Sequence, residues 1–144
     1  MTKYPFKILF IFIVVFFLNG CFSVPEYVNY KGRDATVLHS GGMPNIFSAL
    51  ANNSATRLLI DGKTANIFYL KPGKYTVVAF SRSLSIFSPL SAKTTLVLDL
   101  KANREYKITS MSSVTKGRVT FLLFDITDKQ KKLLREFHIK GHIG

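Results

Sequence analysis

The chain has one cysteine, no tryptophan and only eight acidic residues among its 144. A single cysteine excludes an internal disulfide, and in an oxidising compartment it would be an odd reactive thiol. It also excludes the multi-cysteine ligand sets of zinc fingers. Asp61, Asp99, Glu105, Asp125 and Asp128 fall at turns or strand ends, where local hydrogen bonds and water account for them. That pattern gives no converging pair of carboxylates for hydrolysis. Neither a Gly-x-Ser-x-Gly elbow, a P-loop nor a Gly-x-Gly-x-x-Gly turn occurs. No catalytic residue and no cofactor is therefore expected. His138 and His142 have the four-residue spacing of two ligands on one helix, but Gly141 intervenes and no third ligand is assigned, so no metal is expected either. His39 stands alone in a strand and reads as structural or surface. Internal repeats and low-complexity tracts are missing too.

What is present begins at the first residues. Lys3 and Lys7 precede an apolar run from Ile8 to Leu18, and Leu18-Asn19-Gly20-Cys21 closes it. A basic start, a short apolar core and small residues before a cut form a secretory signal. The run is shorter than the roughly 20 residues of a spanning helix. Leu18-Asn19-Gly20-Cys21 resembles the lipobox of bacterial lipoproteins, with Asn19 where a small or β-branched residue is usual. That resemblance implies cleavage between Gly20 and Cys21, a diacylglyceryl group on the Cys21 sulfur and, commonly, acylation of the new α-amine. Burial of about 0.8 kcal/mol per CH₂ lets two or three such chains hold where one would leak. Phe22, not Asp, follows the cysteine, which in enteric-type bacteria resembles the sorting state sent to the outer membrane. The expectation is a lipoprotein signal peptide at 1–20, a lipidated tether at 21–33 and one domain at 34–144. Its expected place is the periplasmic face of the outer membrane.

Removing 20 of 144 residues leaves 124, enough for a single domain with a real core. Two of the 20 basic residues leave with the leader, so 18 face 8 acids, a net charge of +10. Such a surface suits an anionic neighbour: phospholipid headgroups, cell-wall carboxylates or an acidic protein. Nucleic acid is not expected, since no RNA-type aromatic motif or finger spacing appears.

From Asp34 onward short strands alternate with turns. Candidate strands cover 35–39, 56–60, 66–70, 75–80, 94–100, 105–111 and 118–126. Asp61-Gly62 suits a tight turn, because glycine accepts positive φ and aspartate bonds the local backbone. Pro72-Gly73 fits a type II corner. In 94–100, Thr94, Leu96, Leu98 and Leu100 face one way and Thr95, Val97 and Asp99 the other, the period of a half-buried strand. In 118–126 both faces are apolar, which implies a central position. Six or seven strands of this kind predict a mainly β fold, an antiparallel β-sandwich.

The C-terminal stretch reads differently. Thr127-Asp128-Lys129-Gln130 fits a capping box, and Leu133, Leu134 and Phe137 share a helical face, so one short helix is expected over about 128–137. Lys129, Lys131, Lys132 and Arg135 would lie on its polar side, either solvated or against an anionic surface. Two segments, 40–55 and 81–91, carry Met43, Ile46, Phe47, Leu84, Ile86 and Phe87 among Gly, Asn and Ser. These either fold back on the sheets or form a partner-contact patch at one end.

Leu58-Leu59-Ile60-Asp61-Gly62-Lys63, then Leu70-Lys71-Pro72-Gly73-Lys74-Tyr75-Thr76-Val77, resembles small bacterial lipoprotein domains of the PEGA-like sandwich type. Ala102-Asn103-Arg104-Glu105-Tyr106-Lys107-Ile108 fits their later strand, with Asn103-Arg104 where Gly-Lys is usual. The resemblance spans about 35–135 and implies a fold but no catalytic residue. The functional expectation is a lipid-anchored envelope protein acting as a non-catalytic binding module. The alternatives are an accessory lipoprotein subunit of a secretion or envelope-spanning machine, and a binder of cell wall or a small ligand.

Overall fold

Alternation of apolar and polar side chains every second residue marks the candidate strands after residue 34, and extended backbone follows from it. The computed structural model describes residues 25–41, 54–83, 90–113 and 115–143, and among them there is no helix. The described residues form eleven strands: β1 (Glu26–Val28), β2 (Thr36–Ser40), β3 (Ser54–Ile60), β4 (Lys63–Ala65), β5 (Ile67–Leu70), β6 (Gly73–Ser83), β7 (Leu90–Leu100), β8 (Glu105–Ser113), β9 (Arg118–Asp125), β10 (Lys132–Lys140) and β11 (His142–Ile143). Sheet A has the order β1-β5-β2-β8-β9-β10 and sheet B the order β11-β7-β6-β3-β4.

The fold is mainly β, in two sheets, but it departs from the expected pattern in three ways. Pairing is mixed, because β1 runs parallel to β5 and β2 parallel to β8. The stretch assigned to a tether contributes β1, whose residues Glu26 to Val28 pair with Ile67 to Tyr69. The third departure is the helix. Residues 132–140 form β10, antiparallel to β9, with a bulge between Leu133 and Arg135.

The reason lies in Thr127. Its hydroxyl accepts the Glu105 N–H at 2.9 Å, while the Ile126 N–H donates to the Glu105 carbonyl at 2.8 Å. The residue that could have capped a helix instead fastens the end of β9 to β8. Beyond it, Phe137 and Ile139 pack on the core and alternate with exposed Glu136, His138 and Lys140. The strand period of that stretch outweighs the chance helical spacing of Leu133, Leu134 and Phe137.

Asp125 anchors the same corner by accepting the Thr127 N–H at 2.9 Å, with Arg104 Nη1 at 3.7 Å. Burial raises its pKa, but the bonds from Thr127 and the charges of Arg104 and Lys132 outweigh burial, so the carboxyl sits below its ordinary range. A depressed folded pKa contributes stability that is complete above the unfolded value near 3.9 and disappears as pH falls through the folded one. Urea midpoints between about pH 5 and pH 2 should therefore fall less steeply in Asp125→Asn than in the parent; equal slopes would exclude this role.

The core lies between the sheets. Leu38, Phe68, Ile108, Val119 and Phe121 point inward from sheet A, and Leu58, Ile60, Val77, Leu96 and Leu98 from sheet B, all nearly or fully buried. In β7, Leu96, Leu98 and Leu100 are buried and Thr95, Val97 and Asp99 exposed, as the alternation predicts. β9 is flanked by β8 and β10, and its outer residues Thr120, Leu122 and Phe124 are half-buried. Asp61 and Gly62 have φ of 50° and 73° and join β3 to β4 with Ile60 facing Lys63, the two-residue hairpin that needs both positive values. Gly73 has φ of 151° and already pairs with Leu100, so the Pro72 corner is an extended bend, not a type II turn.

Of the five connections that pass from one sheet to the other, two turn on a single residue. Asn66 separates β4 from β5, with its carbonyl bonded to the Ser40 N–H at 2.9 Å. Gly141 separates β10 from β11, and a Cβ there would meet Leu90 side-chain carbons at 2.6 Å. Ser81 and Ser110 meet across the core near one end of the sheets, and the Lys101 N–H reaches the Tyr106 hydroxyl near the other. The first, where β6 and β8 finish and β7 and β9 begin, is termed the upper end.

A basic cleft on the outer face of sheet B

Register places three side chains in a row on the solvent face of sheet B. Arg57 of β3 lies opposite Phe80 of β6, which lies opposite Lys93 of β7. Cross-strand neighbours on one face are about 4.5–5.5 Å apart at Cβ, so the aromatic ring is flanked by two cations. Lys93 Nζ stands 5.3 Å from the Phe80 ring centre. At an exposed site such a contact is worth about 0.5–1 kcal/mol, enough to orient the ammonium without neutralising it. The adjacent row runs Ala55, Arg82, Ser91 and His142. Together these rows line a cleft of about 570 Å³ containing Arg57, Arg82, Lys93 and His142 and no acidic side chain. Among the described residues, no ion pair involves Arg57, Arg82 or Lys93. The cleft can therefore offer several undischarged cations around an apolar floor, an arrangement for holding an anion by charge.

Acids gather elsewhere. Asp99 pairs with Lys101 at 2.7 Å, and Arg104 reaches Asp125 and Asp128, all at the lower end. His39 Nε2 and Glu105 Oε1 are 2.5 Å apart between β2 and β8, so His39 is a strand-pairing residue, as its isolation suggested.

The sequence-predicted positions fare unequally. Gly20, Cys21, Met43, Ile46, Phe47, Leu84, Ile86 and Phe87 lie outside the described residues. The segments that hold the last six are shorter than the sequence implied, because Ser40, Ser54 and Ala55, Ser81 to Ser83, and Leu90 and Ser91 belong to strands. Ser54 faces Ser83 at the upper end. Lys129, Lys131, Lys132 and Arg135 are not on a helix. Lys131 Nζ lies 3.9 Å from the Phe124 ring centre and Arg135 stacks on Phe137 at 4.8 Å, so these two cations cover aromatic surface of sheet A. Lys132 faces Asp125 across β9 and β10, and Lys129 is exposed in the preceding turn. They form no common face with the cleft. His138 and His142 fall on different sheets. His138 bonds Thr120 Oγ1 at 3.0 Å and stands 3.5 Å from Glu136, an acid the sequence reading passed over. Among the described residues no group of three or more His, Cys, Asp or Glu could hold a metal ion.

Arg57, Arg82 and Lys93 were missed because they are far apart along the chain, and Arg82 and Lys93 fall just outside the candidate strands 75–80 and 94–100. A signal was available: each occupies a polar position in an alternating strand, and tight pairing of those strands stacks the polar positions on one face. Compared with family models, curated proteins and solved structures, the chain matches none of them.

Proposed function

We propose that this protein is a lipid-anchored, non-catalytic binding module of the cell envelope, and that it meets an anionic partner through the basic end of sheet B. The observation that supports a binding role is the Arg57–Phe80–Lys93 row beside Arg82, cations with no acid among the lining residues. The lipobox-like run at Leu18 to Cys21 supports the anchor. The PEGA-like sandwich likeness remains part of the proposal; its Asp61-Gly62 element does occupy a tight β3–β4 turn.

Cells fed a fatty-acid analogue should label the wild-type chain, and Cys21→Ala should abolish that label completely while the unprocessed chain, 20 residues longer, accumulates. A Cys21→Ala chain that still carries label, or a wild-type chain that never does, would remove the anchor from this reading.

A further inference from the structure

We infer that the upper end of the two sheets is a leaflet-apposed rim, whose cations rest on anionic phospholipid while the acid-bearing lower end points away. The inference rests on Cys21 carrying lipid, and four observations carry it from there.

The tether is short. β1 begins at Glu26, and the Pro25 carbonyl is already bonded to the Asn66 N–H at 2.9 Å. Only four residue steps separate Cys21 from Pro25, so a fully extended chain spans at most about 14 Å. An anchor on Cys21 therefore keeps the domain close to headgroups, with its nearest side chains within about a Debye length of them.

Direction follows from register. Glu26 faces Ile67, Ile67 faces His39, and His39 faces Lys107, whereas Val28 faces Tyr69, which faces Val37 and then Glu105. β1 thus enters from the Lys107 level and descends toward the start of β8. Pro25, bonded to Asn66 at the level of Ser40 and Ile108, stands on the upper side of Glu26, and on this inference the bilayer therefore lies above.

The rim carries cations of the right sign, higher along β8 than the Lys107 level at which β1 enters. Arg82 faces Ser91, and Ser91 faces His142 on sheet B. Gly141 turns the corner, its N–H bonded to the Gly117 carbonyl at 2.8 Å, and Lys140 then faces Arg118 on sheet A. Lys116 stands in the adjoining turn. This makes one band from the cleft, round the corner, to the edge of the other sheet. Among the described residues no ion pair involves Arg82, Lys116, Arg118 or Lys140.

Acids are placed as repulsion from a leaflet requires. Asp34, Asp61, Asp99, Glu105, Asp125 and Asp128 occupy the lower turns and strand ends, with Glu26 at the low Lys107 level and Glu136 at mid-height. A band that wraps an end suits a broad charged plane more than a point ligand, and cations near an anionic leaflet each add measurable attraction.

The test uses the intact, acylated protein, in which an introduced cysteine is the only free thiol. Thr115→Cys marks the upper end and Ala102→Cys the lower, both in exposed turns and about 30 Å apart along β8. Each is labelled with a donor dye, and the protein is placed in phosphatidylcholine vesicles carrying a headgroup acceptor, with or without phosphatidylglycerol. With phosphatidylglycerol at low salt, Thr115→Cys should transfer roughly twofold more energy than Ala102→Cys, given that separation. The difference should shrink in high salt, without phosphatidylglycerol, or after Arg82→Glu with Lys140→Glu. Firm retention on vesicles with equal transfer from both sites would overturn the rim while leaving the anchor standing, and would point to a protein or cell-wall partner. Protein that washes off all vesicles would overturn the anchor and the rim together.

Discussion

Phe68→Ala is expected to lower unfolding free energy by about 3–5 kcal/mol, the range for emptying a fully buried aromatic site. Phe68 has no exposed surface and sits in β5, the strand held between β1 and β2. The ring meets the edge of Tyr27 at 5.9 Å and 72°, so it also holds β1 against the sheet. The loss therefore exceeds a simple cavity: β1 has three residues, and of these Tyr27 is the one that packs on the core. Urea denaturation followed by circular dichroism should show the midpoint falling, with the Tyr27 environment changing first. A loss below about 1 kcal/mol would mean that the site collapses freely and that Phe68 is not a keystone of sheet A.

Ser110→Ala should cost about 2–4 kcal/mol, although it deletes a single oxygen. Ser110 Oγ lies 2.7 Å from Thr56 Oγ1 and 2.8 Å from Ser81 Oγ, and all three residues are buried. Removing the shared partner leaves two buried hydroxyls to find others, at about 1–3 kcal/mol each. The triple variant Thr56→Val, Ser81→Ala, Ser110→Ala should recover most of that loss, because an apolar replacement of a whole network leaves nothing unpaired. Denaturant midpoints of the parent, single and triple variants decide it. A triple variant less stable than the single one would show that the hydroxyls contribute more by bonding than they cost by burial.

These effects show how far the residues alone disclose the molecule. Strands such as β7 and β9 were legible because their inner faces repeat every second residue and nothing competes with that period. The Asp61-Gly62 hairpin was legible because few residue pairs accept two positive φ values. β10 was not, since Leu133, Leu134 and Phe137 satisfy two periods at once, and only the remote Glu105 decides which Thr127 serves. β1 was hidden for a related reason: three residues hold no period, and their extended form comes from the edge of β5. The cleft was invisible because Arg57, Phe80 and Lys93 are far apart along the chain and meet only through register. Net positive charge was plain from composition; where that charge is unopposed needed three dimensions.

The parallel contact between β2 and β8 has a temporal consequence. Val37 finds Glu105 only after the intervening strands have been made, and Thr36 Oγ1 bonds the Arg104 carbonyl across 68 positions. A chain emerging amino end first must hold Leu38 unsheltered until most of the polypeptide has followed, since loop closure over that distance precedes any reward. Maturation of sheet A is therefore a late event in biogenesis, and the interval before it is when a nascent copy is most exposed to mispairing with its neighbours.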